Sequence, residues 1–453
     1  KSTTKSQTVV RNEVKSMSGF EPTFEGEGED PEVEETIPNN QIWYTTTDNS
    51  SITISTSKVG QVPSSTVYNE EKGRYELTYE RDITYISDEA FYCDTKLTSI
   101  TLPGTITSVA CNSDEDENPS FADNTNLVRF GGPLATEDGS GLIVNNVFVA
   151  YAIGSSVEDL IIPDGVTSVD CVFEGATNLK SITIPASVDS MYGSEFYNTG
   201  LTSVKISDLE AWCNMDMGRT RDTGSVNSNP LYYAGNLYLN GELITDLVVP
   251  ESITKINDFA FCGGNFNTIT LNDKITQIGY RSFANCANLT EITIPASVKK
   301  IYELAFTDCS QLVKVDCMSR SVPTAVSVYM PAAYWGAFPT NKGLQIHIAT
   351  TMYKSYSGWS NFSNYMVEKP YAWYNYNVAN YSINSAQSLY ELSLLTNGDA
   401  EALAIVGESA AVTFAEKSVK LAKDVDLSTI CSETLGSWLP IGNFSGTFDG
   451  NRS

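Results

Sequence analysis

Cysteines that recur at regular intervals are the first residues in this chain that could do chemistry. Cys286 and Cys309 each follow a phenylalanine by three positions, and we group Cys93 with them, while Cys262 lies nearer to its phenylalanine. Zinc sites need clustered ligands such as C-x₂₋₄-C, whereas isolated cysteine commonly packs as a small buried hydrophobe. We therefore expect a structural role and no metal site. A Cys286–Cys309 disulfide between adjacent turns is the sterically conceivable alternative.

Histidine offers no better candidate for catalysis, because His347 is the only one in the chain. A Ser-His-Asp or Cys-His arrangement would have to recruit this residue, and no nucleophile motif such as G-x-S-x-G accompanies it. In "LQIHIA" the alternation turns Leu344, Ile346 and Ile348 inward and leaves His347 on the outer face. We expect no catalytic residue and no cofactor.

Acidic runs are the remaining candidates for metal binding. Residues 114–117 are consecutive carboxylates, and Asp424 and Asp426 form a second short group. Oxygen ligands of this kind suit calcium, but the first run lacks the D-x-[DN]-x-[DN]-G spacing of a calcium loop. We interpret it as a solvated acidic loop and expect no metal ligand there.

The overall charge excludes some classes of partner. The 453 residues include 55 acidic and 28 basic side chains, which gives a net charge of −27. Such a surface repels phosphate backbones and anionic membranes, so we expect no nucleic-acid partner. No apolar run approaches the roughly 18–20 residues of a membrane helix, which predicts no transmembrane segment.

An internal repeat of 22–23 residues must position any site that exists. Phe261, Phe283 and Phe306 recur at this spacing, and about eight or nine units lie between Ile83 and Cys317. In "LTEITIP" the pattern turns alternate residues inward, and the proline ends the strand. One unit cannot cover its own apolar residues, so stacked units must cover each other. The sequence therefore predicts a β-rich repeat protein, a solenoid with one parallel β-sheet face.

Composition and turn signals divide the chain further. Asn-Asn in 141–152 and Asn-Gly in 236–244 predict hairpin insertions. A helix capped by Asn384 or Ser385 should end before Gly398. We predict these domains: 1–38, a disordered acidic linker; 39–82, an N-terminal β-meander cap with strands in "QIWYTTT", "SSITISTS" and "RYELTYE"; 83–317, the solenoid; 318–367, its C-terminal cap; 368–381, a linker; and 382–453, a truncated β-rich module with one helix plus strands.

The repeat resembles the BspA-like leucine-rich repeat (LRR_5 type) of bacterial surface proteins. The matching text includes "GATNLKSITIPASVDSM", "SFANCANLTEITIPASVKKI" and the insertion "VKISDLEAWCNM", within about residues 40–367. The C-terminal part, with "YSINSAQSLYELSLLTNG" and "WLPIGNFSGTFDGN", resembles the start of a GLUG-type module. The resemblance implies a leucine-rich repeat solenoid without catalytic activity. It also implies an extracellular or outer-membrane surface location, and we expect a signal or lipid anchor upstream of this fragment.

Outward strand positions are the surface that we predict to bind a partner. The predicted face consists of Ser99, Thr101, Ser181, Thr183, Ser203, Lys205, Thr268, Thr270, Glu291, Thr293, Lys314 and Asp316. Solenoids commonly bind along extended faces. The resemblance implies adhesion and protein binding, so we predict attachment to a host or neighbouring-cell protein through this face. The alternatives are a glycan-binding surface protein of a polysaccharide-foraging system, or a scaffold domain of a larger secreted peptidase. The aromatic run 371–376 could stack on sugars, although covering a domain junction is the simpler role.

Overall fold

The computed structural model describes most of the chain. The described residues are 35–52, 59–110, 119–191, 196–217, 228–318, 322–326, 336–348, 359–368, 371, 373–375, 377–383, 385–422, 425 and 440–450. Our predictions for the acidic segment 1–34, for the carboxylates 114–117 and for Asp424 and Asp426 lie outside these residues. The fold below is that of the unit Ile37–Ser453, which is separate from the unit Lys1–Thr36.

Short strands are the main elements of this unit. The first strands are β1 Gln41–Thr46, β2 Ser65–Asn69, β3 Arg74–Thr78, β4 Tyr85–Ile86, β5 Leu97–Thr101, β6 Ser108–Val109, β7 Arg129–Gly131, β8 Gly141–Val144, β9 Val147–Tyr151, β10 Asp159–Ile161, β11 Ser168–Val169, β12 Ser181–Ile184 and β13 Ser203–Ile206. Then come α1 Leu209–Asn214, α2 Pro230–Ala234, β14 Leu237–Leu239, β15 Glu242–Leu243, β16 Asp246–Val248, β17 Lys255–Ile256, β18 Thr268–Thr270, β19 Gln277–Ile278, β20 Glu291–Ile294, β21 Lys300–Tyr302, β22 Lys314–Cys317 and β23 Thr324–Val326. The last elements are β24 Gln345–Ile348, a 3₁₀ turn Ser360–Phe362, β25 Met366–Glu368, β26 Asn380–Ile383, α3 Ala386–Asn397, α4 Ala400–Val406, β27 Ser418–Leu421 and β28 Thr447–Asp449.

One side of the solenoid is a parallel ladder built from the strand of each unit. This broad ladder comprises β5, β7, β10, β12, β13, β14, β16, β18, β20, β22, β24 and β25. Ile292 pairs with Val315 in register and both are buried, whereas Glu291 and Thr293 are exposed. The predicted alternation and the predicted leucine-rich repeat fold class are confirmed.

A second parallel ladder, which we did not predict, runs along the part of each unit that leads from the end of one broad-ladder strand towards the next. This narrow ladder comprises β4 with β6, β9 with β11, and the series β17-β19-β21-β23. Ile256, Ile278 and Ile301 are in register and each is at most 1% exposed. The sequence analysis predicted only the strand that precedes the proline of each unit. The part that follows the proline also forms a ladder because a β-branched residue, flanked by a polar one, recurs there in successive units.

The broad ladder is divided into several hydrogen-bonded sheets rather than being one continuous sheet. After β14 the chain turns back through Asn240 and Gly241, and β15 pairs antiparallel with β14. A comparable turn at Asn145 and Asn146 joins β8 to β9. All four turn residues have φ between 50° and 87°, as a type I′ turn requires, so both predicted hairpins are confirmed.

Stacked phenylalanine rings fill the core between units. Phe283 is fully buried and lies 5.6 Å from Phe261 and 5.3 Å from Phe306, measured between ring centroids, with nearly parallel planes. Phe173 and Phe196 stack in the same way at 4.6 Å. The period of the sequence repeat is therefore also the period at which rings stack within each of these runs.

The backbone adopts positive φ two residues after the phenylalanine that recurs in the units, counting Phe91 and Phe121 as well as those above. The residues at this position are Cys93 (55°), Asp123 (60°), Gly175 (79°), Asn198 (54°), Gly263 (81°), Asn285 (58°) and Asp308 (57°). Our grouping of Cys93 with Cys286 was wrong, because Cys93 is the counterpart of Asn285. Its side chain is exposed, whereas Cys286 is buried one position later in its own unit.

The N-terminal strands extend the first sheet instead of forming a separate meander. The sheet order is β2-β3-β1-β5-β7, with β1 antiparallel to both β3 and β5. A meander would place β1 beside β2, but β1 lies between β3 and β5. The predicted strand at 50–57 lies mostly outside the described residues, and the second strand of the sheet is β2.

The C-terminal segment has its own hydrophobic core around α3 and α4. Ser385 caps α3 by accepting a hydrogen bond from the backbone of Ser388, and Gly398 ends the helix with a φ of 75°, as predicted. Asp399 then caps a second helix that we did not predict. Tyr371 and Tyr374, from the segment expected to be a linker, are buried in this core.

Candidate interaction face

The predicted face lies entirely on the broad ladder, and the strand register assembles it into two columns of side chains. Ser181 pairs with Ser203 and Thr183 pairs with Lys205 on β12 and β13. Glu291 pairs with Lys314 in the same way on β20 and β22. Parallel strands bring partners that are 22 or 23 residues apart in sequence to within roughly 5 Å. The repeat is therefore what makes these side chains neighbours.

Ser181 is a correction to the predicted face, because it is only 2% exposed. Its hydroxyl donates a hydrogen bond to Asp159, and Lys205 Nζ lies 3.0 Å from the same carboxylate oxygen. Since β12 lies between β10 and β13, this ion pair spans Ser181 and covers it. Ser181 supports the face but does not offer a contact of its own.

A network of three charged side chains and one histidine crosses three adjacent strands at the other end of the ladder. We define the charged network as Glu291, Lys314, Asp316 and His347. Lys314 Nζ lies 3.2 Å from a Glu291 oxygen and 3.3 Å from an Asp316 oxygen. His347 Nδ1 lies 2.8 Å from the other Asp316 oxygen. Each group is held by its neighbours while part of it stays in contact with solvent.

These contacts shift the pKa values of the groups on the face. A hydrogen bond from Ser181, together with Lys205, lowers the pKa of Asp159. Hydrogen bonds to Glu291 and Asp316 raise the pKa of Lys314. The charged forms are therefore favoured at neutral pH. Because the ion pairs at both sites are partly exposed to solvent, their contribution to folding stability is small.

The sequence analysis did not identify several residues that belong to the face. Asp159 and Asp246 occupy the same column as Glu291, and Ile161 and Val248 are exposed by 64% and 62% beside them. A signal was available, because Asp159, Asp246 and Glu291 each lie four residues before a proline. His347 was predicted to face outward and does so, but its contact with Asp316 was not predicted.

Hydroxyl groups dominate the N-terminal end of the face. Thr45 Oγ1 lies 2.6 Å from both the Thr98 and the Ser99 hydroxyl oxygens, which joins β1 to β5. Trp43 is on this side of the sheet beside Thr101, but the Arg74 guanidinium lies 3.4 Å above its ring and leaves it only 5% exposed. This tryptophan therefore offers no open ring to a ligand.

The repeated cysteines belong to the core. Cys286 and Cys309 are buried thiols, and their sulfur atoms lie 3.4 Å and 3.1 Å from the carbonyl oxygens of Phe261 and Phe283. The neighbouring Cys309 thiol, together with burial, raises the pKa of Cys286 well above its usual value. A thiol in that state is a poor nucleophile. The two cysteines are not joined by a disulfide in this structure.

Metal-binding clusters and membrane-spanning helices are both lacking from the part of the chain that the structure describes. There, no group of three or more His, Cys, Asp or Glu side chains is arranged to hold a metal ion. In the same residues, no helix combines the length and the apolar character needed to cross a membrane.

Comparison with known proteins gives a family match. The BspA type leucine rich repeat region matches in six copies, over residues 35–126, 144–212 and 235–326. No curated protein matches significantly. The matched residues do not include 382–453, so the GLUG-type resemblance of that segment stays a prediction.

Similar solved structures include leucine-rich repeat proteins of bacteria. One, from Bacteroides ovatus, has 16% identity and a TM-score of 0.28, with 67% of this chain and 90% of that chain covered. A leucine rich cell surface protein from Faecalibacterium prausnitzii has 17% identity and a TM-score of 0.25, with 52% and 77% covered. The pneumococcal vaccine antigen PcpA has 13% identity and a TM-score of 0.28, with 85% and 83% covered.

Proposed function

Because this chain belongs to the BspA-type leucine-rich repeat family, we propose that it is a non-catalytic recognition protein that binds a protein partner along the broad ladder. The observation that carries the proposal is the charged network. Lys314 and Asp316 lie on one strand, Glu291 and His347 lie on the strands to either side, and all four are ordered by mutual contacts. Side chains that are already ordered lose less conformational entropy when a partner binds.

The shape of the broad ladder suits an extended partner. Outward positions repeat at each rung, roughly 5 Å apart, so a partner can make many small contacts along one direction. Exposed Ile161 and Val248 add apolar contacts between the polar ones. We infer that the protein acts at the bacterial cell surface or after secretion, as the resemblance implies, and that its partner is a host or neighbouring-cell protein.

Alanine substitution along the face tests the proposal. The test variant replaces Thr183, Lys205, Thr270, Glu291 and Lys314, and we expect it to lose attachment to cells or to matrix protein. A control variant replaces five exposed residues of the same types away from both ladders: Thr125, Thr177, Glu70, Lys72 and Lys420. Both variants should keep the far-ultraviolet circular dichroism of the unaltered protein. Full attachment by the folded test variant would exclude this face.

A binding screen separates protein recognition from the glycan alternative. The unaltered protein and the test variant are applied in parallel to an array of host proteins and to an array of glycans. We expect a signal on the protein array that the test variant loses. A glycan signal that depends on the same five residues would contradict protein recognition by the broad ladder.

A further inference from the structure

A concentration of positive charge lies on the narrow ladder, on a chain whose net charge is −27. We define the basic strip as Lys255, Lys299 and Lys300. All three side chains are exposed, and none forms an ion pair with a described residue. Their ammonium groups are therefore available to a ligand from outside. The broad ladder differs in this respect, since Lys205 and Lys314 are both paired with carboxylates.

The register of the narrow ladder places neutral hydrogen-bonding groups between the lysines. Lys255 pairs with Gln277, Gln277 with Lys300, and Lys300 with Thr324. Lys255 and Lys300 are therefore two rungs apart, which corresponds to roughly 10 Å. Tyr302 follows Lys300 by two residues, so its half-buried ring lies on the same side of β21.

The basic strip is confined to the last rungs of the narrow ladder. Further upstream, the paired positions are held by Ser168, Ser190 and Asp216, which carry no positive charge. Beside the strip, Glu251 is 3.4 Å from Lys274, and Asp258 accepts a hydrogen bond from the backbone of Tyr280. The nearby carboxylates thus have other partners. Core packing requires only the inward isoleucines and does not account for three exposed lysines.

We propose that the basic strip binds an acidic polysaccharide whose disaccharide repeat carries one carboxylate. The carboxylates of such a polymer recur at an interval comparable to the spacing of Lys255 and Lys300. Gln277 and Thr324 offer donors and acceptors to the sugar hydroxyls between the charges. The ring of Tyr302 packs partly against the core, and its exposed part offers an apolar surface to a sugar face. An acidic polypeptide lacks these hydroxyls and fits the alternation of charged and neutral groups less well.

Hyaluronan oligosaccharides are a suitable probe, and titration calorimetry of the full chain measures the affinity. The test variant carries Lys255→Gln, Lys299→Gln and Lys300→Gln. The control carries Lys72→Gln, Lys180→Gln and Lys420→Gln, which change the net charge equally at exposed positions outside the narrow ladder. We expect about a tenfold or greater loss of affinity in the test variant and a change within about twofold in the control, because each exposed charge contact is worth a severalfold change.

Salt and a matched polyanion separate a sugar site from general charge attraction. Affinity for hyaluronan should fall as salt rises, since surface charge contacts are screened. Tyr302→Ala should weaken hyaluronan severalfold and leave the weaker binding of poly-L-glutamate unchanged. Equal affinity for both polymers would assign the strip to acidic polypeptides and overturn the proposal. Absence of hyaluronan binding by the unaltered protein, or unchanged binding by a folded test variant, would also overturn it.

The proposal is independent of the function proposed for the broad ladder. The two sets of substitutions share no residue and lie on different ladders. Loss of cell attachment in the broad-ladder variant with normal hyaluronan binding would support both assignments. Unfolding temperatures of all variants show whether a loss reflects the site or the fold.

Discussion

The Nδ1 atom of His347 lies 2.8 Å from a carboxylate oxygen of Asp316, across the neighbouring strands β24 and β22. These residues are 31 positions apart in sequence, and the parallel register makes them direct partners. The only histidine in the chain is thus part of a charged surface on the ladder. Lys314 also contacts Asp316, so the contact belongs to a network whose members hold each other in place.

Lys314→Ala should weaken binding of the partner while changing the stability of the fold only slightly. Its ion pairs are half-exposed, so we expect the free energy of unfolding to fall by less than about 1 kcal/mol. Binding of the partner to the broad ladder should weaken severalfold. Urea unfolding and a binding assay on the same preparation check both outcomes, with Lys180→Ala as a matched control. A loss of more than about 2 kcal/mol would show that Lys314 is structural.

Asp159→Asn should change how stability depends on pH. Ser181 and Lys205 favour the ionised form, so the pKa of Asp159 is lower in the folded chain than its usual value of 3.8. Its contribution is therefore fully present above that value and is lost as pH falls below it. Between about pH 5 and pH 2, the free energy of unfolding should fall more steeply in the unaltered protein than in Asp159→Asn.

The matched control for this prediction is Asp164→Asn, at an exposed carboxylate that has no ion pair with a described residue. Between about pH 5 and pH 2, the free energy of unfolding of the control should fall as steeply as that of the unaltered protein. Unfolding by urea at several pH values gives the comparison. Identical slopes in the unaltered protein and in Asp159→Asn would falsify the account of this carboxylate.

Thiol labelling should distinguish cysteines that the repeat pattern makes look equivalent. Cys93 is exposed, whereas Cys286 is buried and its pKa is raised by Cys309 and by desolvation. We expect iodoacetamide to modify Cys93 in the folded protein and to modify Cys286 only after unfolding. Mass spectrometry of peptides from folded and urea-treated protein measures this. Rapid modification of Cys286 under native conditions, or a Cys286–Cys309 crosslink in non-reduced protein, would contradict its structural role.

Asp308 tests the backbone requirement of the turn after each phenylalanine. It is exposed and has a φ of 57°, a conformation that costs an ordinary residue about 1–2 kcal/mol. Asp308→Gly should therefore raise the free energy of unfolding by a few tenths to about 1 kcal/mol. Asp308→Val should lower it by about 1–2 kcal/mol, because a β-branched residue fits this region poorly. Chemical denaturation of both variants measures the sign of the change in the free energy of unfolding. A more stable valine variant than glycine variant would contradict the positive-φ requirement at this position.

Much of the fold could be predicted from the sequence because its determinants are local and repeated. The alternation around Ile292 identifies the inward face, and the proline that follows ends the strand. Asn-Asn and Asn-Gly mark the two hairpin turns through their tolerance of positive φ. Glycine at 398 marks the end of a helix for the same reason. Each of these signals depends on a residue type within a few positions of its effect.

The details of the surface could not be predicted in this way. Ser181 has the same local pattern as Thr183, yet it is covered because Lys205 reaches across it to Asp159. Cys93 follows a phenylalanine as Cys286 does, yet one position of offset turns its side chain into solvent. Such outcomes depend on neighbours in other units, which a local pattern does not specify.

The sequence by itself determined the repeat, the residues that face the core and the turns that connect the strands, because a hydrophobic period and the φ preferences of Asn, Gly and Pro act locally. Only the tertiary structure decided which outward side chains become neighbours. The register of stacked parallel strands brings Asp316 to His347 and places Lys255 two rungs from Lys300. Contacts between units depend on that register, because the groups that lie beside a surface charge determine whether it is paired or open to a ligand.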